Sequence, residues 1–159
     1  MSDQNPWNVK QVTPPDKWVG SEGQDNRGHA KFIAPHFAGR AALHLFNRHW
    51  HDDLDNQRPG LRTLNGLMGD EERGWCPASD TQGSIPGNPQ NNPSQVATFI
   101  ADHIAFNPDA DLPSPTDDPA LWLLILYYLA FTEDGIYPTW SLCVASLALF
   151  YRLDVPTTD

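Results

Sequence analysis

Cysteine is nearly absent from this chain. Cys76 and Cys143 are the only two, and no CxxC spacing joins them. That excludes a disulfide scaffold, and both thiols are expected to stay reduced, Cys143 in a core helix and Cys76 in a loop. Lysine is equally scarce: Lys10, Lys17 and Lys31 all lie near the N-terminus, and Arg152 is the single Lys or Arg after Arg73. Long hydrophobic runs are missing as well. The longest, residues 120–131, has twelve residues, whereas a spanning helix needs about twenty, so no membrane span is expected. Met1 to Pro6 carries neither a cationic region nor an apolar stretch. No signal peptide is therefore expected, and the expected location is the cytoplasm or a particle assembled there.

The catalytic and nucleotide motifs are missing too. The chain contains no GxxxxGK-S/T, no GxGxxG, no GxSxG and no HExxH. Nucleotide binding, hydrolase-type nucleophilic catalysis and zinc-protease chemistry therefore have no support, and no small-molecule cofactor is expected. No motif is specific enough to name a family.

What is present divides the chain into unlike parts. There are 15 Pro and 11 Gly in 159 residues, about one residue in six, well above ordinary usage. Twenty Asp and Glu face ten Lys and Arg, for a net charge of −10. Residues 1–74 are nearly neutral at −1, while residues 75–159 carry −9. Such a chain is too acidic to hold nucleic acid through phosphate contacts, yet with 40% hydrophobic residues it is too apolar to be a disordered acidic tail.

Residues 1–35 show neither helical nor strand periodicity and read as an extended arm outside the core. Trp7 and Trp18 are its natural anchors, docking either on the chain's own body or on a neighbour. Residues 36–74 form a helical N-terminal part. In 37–50 the residues Phe37, Ala41, Ala42, Leu45, Phe46 and Trp50 keep helical spacing, and 59–68 suggests a second, short helix. Residues 75–93, rich in Pro, Gly and Asn, read as a strap or linker. Residues 94–159 form the helical body. Ser94 is a candidate N-cap for a helix ending near Phe106, before Asn107-Pro108. Asp118-Pro119 opens a central, all-apolar helix to Phe131. Pro138 opens a last helix to residue 152, with Trp140, Cys143, Val144, Leu147 and Tyr151 along its inner stripe. The prediction is a mainly α fold: a small bundle with a C-terminal αα-hairpin, a long arm, a strap and no convincing strand.

Two constellations invite a metal. His44, His49, His51 and Asp52, followed by Asp53 and Asp55, supply ligand types suited to zinc and could serve a metal-dependent enzyme. The same run also reads as a helix end, with histidines against the negative end of the helix dipole, and that reading is preferred. The loop 107–118 superficially resembles a calcium loop of the EF-hand type, with oxygen side chains at Asn107, Asp109, Asp111 and Asp118. Leu112 stands where that loop needs glycine, and Pro113 and Pro115 stiffen it, so an ordinary acidic connection is preferred.

The function these features predict is non-enzymatic. The chain is expected to bind a protein partner as a subunit or accessory of a larger assembly, a phage or virus particle being one setting. Trp7 and Trp18 would anchor the arm. The acidic loops, with Asp109, Asp111, Asp117, Asp118, Glu133 and Asp134, would make the electrostatic contact. The alternative is an acidic inhibitor or immunity-type protein that blocks a basic nucleic-acid-binding partner.

Overall fold

A computed structural model describes residues 4–11, 18–76 and 92–156. Among these residues there are five helices and one two-stranded sheet, and the mainly α expectation holds. Strands β1 (Ser21–Gln24) and β2 (Ala30–Phe32) pair antiparallel. Helices α1 (Pro35–Trp50), α2 (Leu64–Gly69), α3 (Pro93–Ile104), α4 (Pro119–Asp134) and α5 (Trp140–Asp154) follow. Among the described residues no helix is long and apolar enough to cross a membrane.

Capping residues set most helix starts. The Asp118 carboxylate accepts the Leu121 N–H and Pro119 occupies the first helical position, as expected for α4. At α3 the cap is Asn92, two residues before the expected Ser94, because Pro93 fits the first helical position, where no N–H is needed. At α5 the Thr139 hydroxyl accepts the Leu142 N–H, so the helix begins at Trp140 rather than Pro138. Gly135, with φ +73°, closes α4 in the left-handed conformation and returns its N–H to the Phe131 carbonyl.

Helix α4 packs against α1, α3 and α5, and α1 lies along α5. The two helices cross at Gly39, where a Cβ would fall inside the Ser146 side chain. The inner stripe of α5 is accordingly Cys143, Ser146 and Phe150, while Trp140 and Val144 turn outward. This corrects the expected stripe. A small hydroxyl that accepts close backbone approach faces inward, and its Oγ donates to the Leu142 carbonyl within its own helix. Arg40 of α1 binds the Asp154 carboxylate of α5 through Nε (2.7 Å) and Nη2 (2.6 Å), locking the far end of the crossing. Both side chains are more than nine-tenths buried, so this pair is poorly screened by solvent.

The expected core-free arm is overturned. Trp7, Val9, Ala30 and Phe32 belong to the same buried cluster as Phe46, Trp122 and Phe150. Buried Asn5 ties the segment down: its Nδ2 donates to the Val9 and Ala30 carbonyls, and its Oδ1 accepts the Val9 N–H. The Val9 carbonyl in turn accepts the Ala30 N–H, so residues 9–10 run beside β2. The hairpin went unpredicted because strands of four and three residues with a bulge between Ser21 and Gly23 show no alternation. Its turn is held by Asp25, whose Oδ1 accepts the Arg27 and His29 N–H groups. At the other predicted boundary, Trp75 stacks on Phe46 and Cys76 is buried in the core, so both join the body. The rest of the predicted strap, up to residue 91, lies outside the described residues.

Candidate functional site

The six tryptophans separate structural from available aromatic surface. Five indole N–H groups find acceptors inside the chain. Trp7 donates to the Leu126 carbonyl (2.8 Å), Trp18 to Lys10 (2.8 Å) and Trp50 to Leu112 (2.8 Å). Trp75 donates to Glu133 Oε1 (3.2 Å) and Trp122 to the Pro113 carbonyl (2.7 Å). Trp140 is the exception. Its indole has no acceptor among the described residues, and the side chain is 48% exposed. A Trp N–H that is to be covered needs a partner, so this ring is either solvated or completed from outside the chain.

Trp140 stands in a continuous run of rings. Its ring meets Tyr127 edge-on at 5.7 Å, and Tyr127 stacks on Tyr137 at 5.1 Å. Tyr137 stacks on Phe131 at 4.3 Å, and Phe131 on Phe99 of α3 at 5.6 Å. His103 and Tyr128 close the far side, 4.7 Å apart. These spacings lie in the range where aromatic pairs add stabilisation beyond burial. The turn builds the site. Left-handed Gly135 ends α4 and throws Ile136 and Tyr137 outward, 63% and 41% exposed. The Thr139 cap then fixes Trp140 at the first position of α5, beyond the reach of the core, with Val144 one turn on. The expectation that α4 is apolar all round because it is central is thereby refined. One face meets the core through Trp122, Ile125, Leu126 and Leu129, and the other carries Tyr127, Tyr128 and Phe131 to this cluster.

The last turn of α4 holds Glu133 and Asp134 and no basic residue, although a helix C-terminus already carries partial negative charge. Burial pushes the Asp134 carboxyl above its ordinary range. Burial, then neighbouring Tyr128 and Tyr127, pushes the Tyr137 hydroxyl up. From residue 93 to residue 151 there is no Lys or Arg at all. The buried Cys143 thiol, raised to about 12, supplies no thiolate nucleophile at neutral pH.

The residues singled out from sequence are distributed differently from the expectation. Trp7 is fully buried and docks on its own chain, so it is a core residue rather than a partner anchor. Trp18 is also used internally, edge-on to His44 at 5.6 Å. Asp109 accepts from Asn65 Nδ2 (2.7 Å) and Asp118 caps α4, whereas Asp111 and Asp117 are exposed. Glu133 accepts from Asn8 and Trp75, tying the N-terminal segment to the end of α4. The 107–118 loop is laid on the body: its Leu112, Pro113 and Thr116 carbonyls accept from Trp50, Trp122 and Tyr151. The carbonyl at the seventh loop position, a calcium ligand in an EF-hand, is therefore already taken by an indole.

The histidine–aspartate run is likewise dispersed. His44 Nδ1 lies 2.8 Å from Asp154, beside Arg40. His49 lines a cavity of about 490 Å³ together with Arg48, Arg58 and Arg73. Burial, then those three cations, lowers its pKa to about 4, which keeps the imidazole neutral. His51 is exposed and sits edge-on to Trp50. Asp52 accepts from the Gly60 N–H and from Arg62. Asp53 pairs with Arg58 at 2.9 Å, and that hydrogen bond brings its pKa down to about 2. Among the described residues no group of three or more His, Cys, Asp and Glu is placed to hold a metal ion.

Trp140 and Tyr137 are the site residues that sequence reading missed. The available signal was position: aromatics that flank a Gly turn and open a capped helix lie at the end of a bundle, outside its packed layers. No protein-family model matches the chain, and no curated protein matches it.

Proposed function

We propose that the chain is a non-enzymatic interaction protein, a subunit or accessory of a larger assembly, and that it docks through the α4–α5 turn. One observation carries this reading: Trp140 alone of the six tryptophans is half exposed with an unpartnered N–H, and it sits on a ring cluster already ordered by stacking. Rigid aromatic side chains with little entropy left to lose are what binding hot spots are made of. Ile136 and Val144 extend the apolar area around them. The alternative of an acidic blocker acting through the 107–118 loop has less behind it, because Asp109 and Asp118 already serve the fold.

The test is the native mass of the chain in its source cells. The wild type should migrate in a particle well above the 17.8 kDa of the monomer. Tyr137→Ala combined with Trp140→Ala should return it to monomer mass while remaining folded by circular dichroism. Wild-type protein at monomer mass, or a folded double variant that still enters the particle, would overturn the proposal.

A further inference from the structure

We infer that the cavity at the end of α1 binds a small zwitterion of amino-acid chemistry, its carboxylate on Arg48 and its ammonium on Asp55. The inference is independent of the docking reading above and uses none of its residues. Three segments line the cavity of about 490 Å³: the last turn of α1 with Arg48 and His49, the loop 52–58 with its carboxylates, and Arg73 beyond α2. That volume lies in the range of small-molecule sites. Three Arg and three Asp line it, so it favours no net charge, but these charges are not equally spent. Asp53 pairs with Arg58 at 2.9 Å, and Arg58 also holds Glu72. Asp52 accepts from the Gly60 N–H and from Arg62. Arg73 lies 3.6 Å from Asp70 and donates to the Pro59 carbonyl. Arg48 and Asp55 alone of the six make no hydrogen bond or ion pair among the described residues.

One unspent cation and one unspent anion on a common cavity complement a ligand that carries both charges. A guanidinium takes a carboxylate through two parallel N–H bonds, and a carboxylate takes a primary ammonium. The surroundings of Arg48 suit the carboxylate end. The His49 ring makes no hydrogen bond among the described residues. Burial, then Arg48, Arg73 and Arg58, holds its pKa at about 4, and Asp70 acts weakly in the opposite direction. The imidazole is therefore neutral, keeps an N–H to donate, and marks a wall where an anion is favoured. The ammonium end is preorganised. Asp53 and Arg58 exchange two backbone hydrogen bonds, 2.8 and 2.9 Å, and the Asp53 carboxylate accepts the Asn56 N–H. The loop that carries Asp55 thus needs little further ordering. Leu54, 83% exposed, lines the same cavity and offers an apolar contact to a ligand side chain. A simple anion would meet Asp55 as a like charge, and a simple cation would meet Arg48.

The experiment titrates the full chain by calorimetry with free glycine, leucine, glutamate and lysine and with the dipeptides of alanine and leucine, each beside its N-acetyl and its amide form. At least one zwitterion should saturate with a Kd below about 10 mM. Its N-acetyl form, which lacks the ammonium, and its amide form, which lacks the carboxylate, should each bind about ten-fold more weakly. Arg48→Gln and Asp55→Asn should each weaken the zwitterion by about the same factor, and both should fold, since neither side chain makes a polar contact within the chain. Arg27→Gln removes an exposed cation outside the cavity and should leave binding unchanged. Bound ligand should also raise the His49 pKa, read from its ring signals by NMR, because the carboxylate offsets the three guanidinium groups. Saturation by a free amino acid or by a dipeptide supports the inference and names the source. An N-acetyl acid that binds as tightly as its zwitterion would mean a plain anion site and overturn it. So would a panel without saturable binding, or a Kd that neither Arg48→Gln nor Asp55→Asn moves.

Discussion

Trp7 and Trp140 sit at the two ends of one design problem. The first belongs to a Pro- and Gly-punctuated segment with no periodicity, and the second to a long, well-capped helix. Local pattern makes the first look external and the second internal. The structure reverses both. Trp7 is fully buried, with its indole N–H on the Leu126 carbonyl, whereas Trp140 is half exposed with none of its polar capacity used. Burial here follows from where a segment ends up relative to the helix layers, and regular secondary structure is no guarantee of an interior position.

The sharpest way to break this contrast is to remove the internal ring. Trp7→Ala should destabilise the chain by about 3–5 kcal/mol, as expected for a large core aromatic, read from denaturant unfolding. A loss below about 1 kcal/mol would mean that the N-terminal segment is an arm after all.

Next in size is the crossing that Trp7 helps to cover. Gly39→Ala places a Cβ within Ser146 and should cost about 1–3 kcal/mol by overpacking. The double variant with Ser146→Gly should recover part of that loss. No recovery would mean that α1 and α5 are not in register at this point.

Acid should act on the N-terminal half through His49. Its folded pKa is about 4 against an ordinary 6.5, so the unfolded chain binds a proton first as pH falls. His49 therefore contributes stability that is intact above pH 6.5 and is lost progressively down to about pH 4. Buried His29, also shifted down, adds in the same direction. His49→Asn should flatten that part of the stability profile, measured as unfolding midpoint against pH, and an unchanged slope would count against burial of the imidazole.

The smallest effect on stability is expected at the turn. Trp140→Ala should change the unfolding free energy by about 1 kcal/mol or less, because half of the ring lies in water. It should nevertheless abolish partner binding. That separation of stability from binding is what distinguishes a docking residue from a core one.

The legible parts of the sequence were those governed by local chemistry. Asp118-Pro119 marked the start of α4, and the amphipathic run of α3 and the apolar run of α4 located two of the body helices. The illegible parts depended on distant contacts. Trp7 meets a carbonyl 119 residues away, and Asn8 meets Glu133 across 125 residues. No spacing rule reports such pairings, so the arm's destination stayed open until the fold was known. The acidic residues illustrate the same limit. Charge counting locates negative loops, but it cannot show that Asp118 caps a helix, that Asp109 braces Asn65 and that Glu133 accepts from Asn8 and Trp75. The His44–Asp55 run fails for a related reason: helical phase sends His44 to Asp154 and His49 to the arginine-lined cavity.

The difference between the two tryptophans can be read directly from hydrogen exchange at the indole N–H groups by NMR, with each signal assigned by a single Trp→Phe substitution. The account predicts that the Trp140 signal exchanges as fast as a solvated indole, while the Trp7 signal persists until the core itself opens. Equal protection of the two, or faster exchange at Trp7, would contradict it.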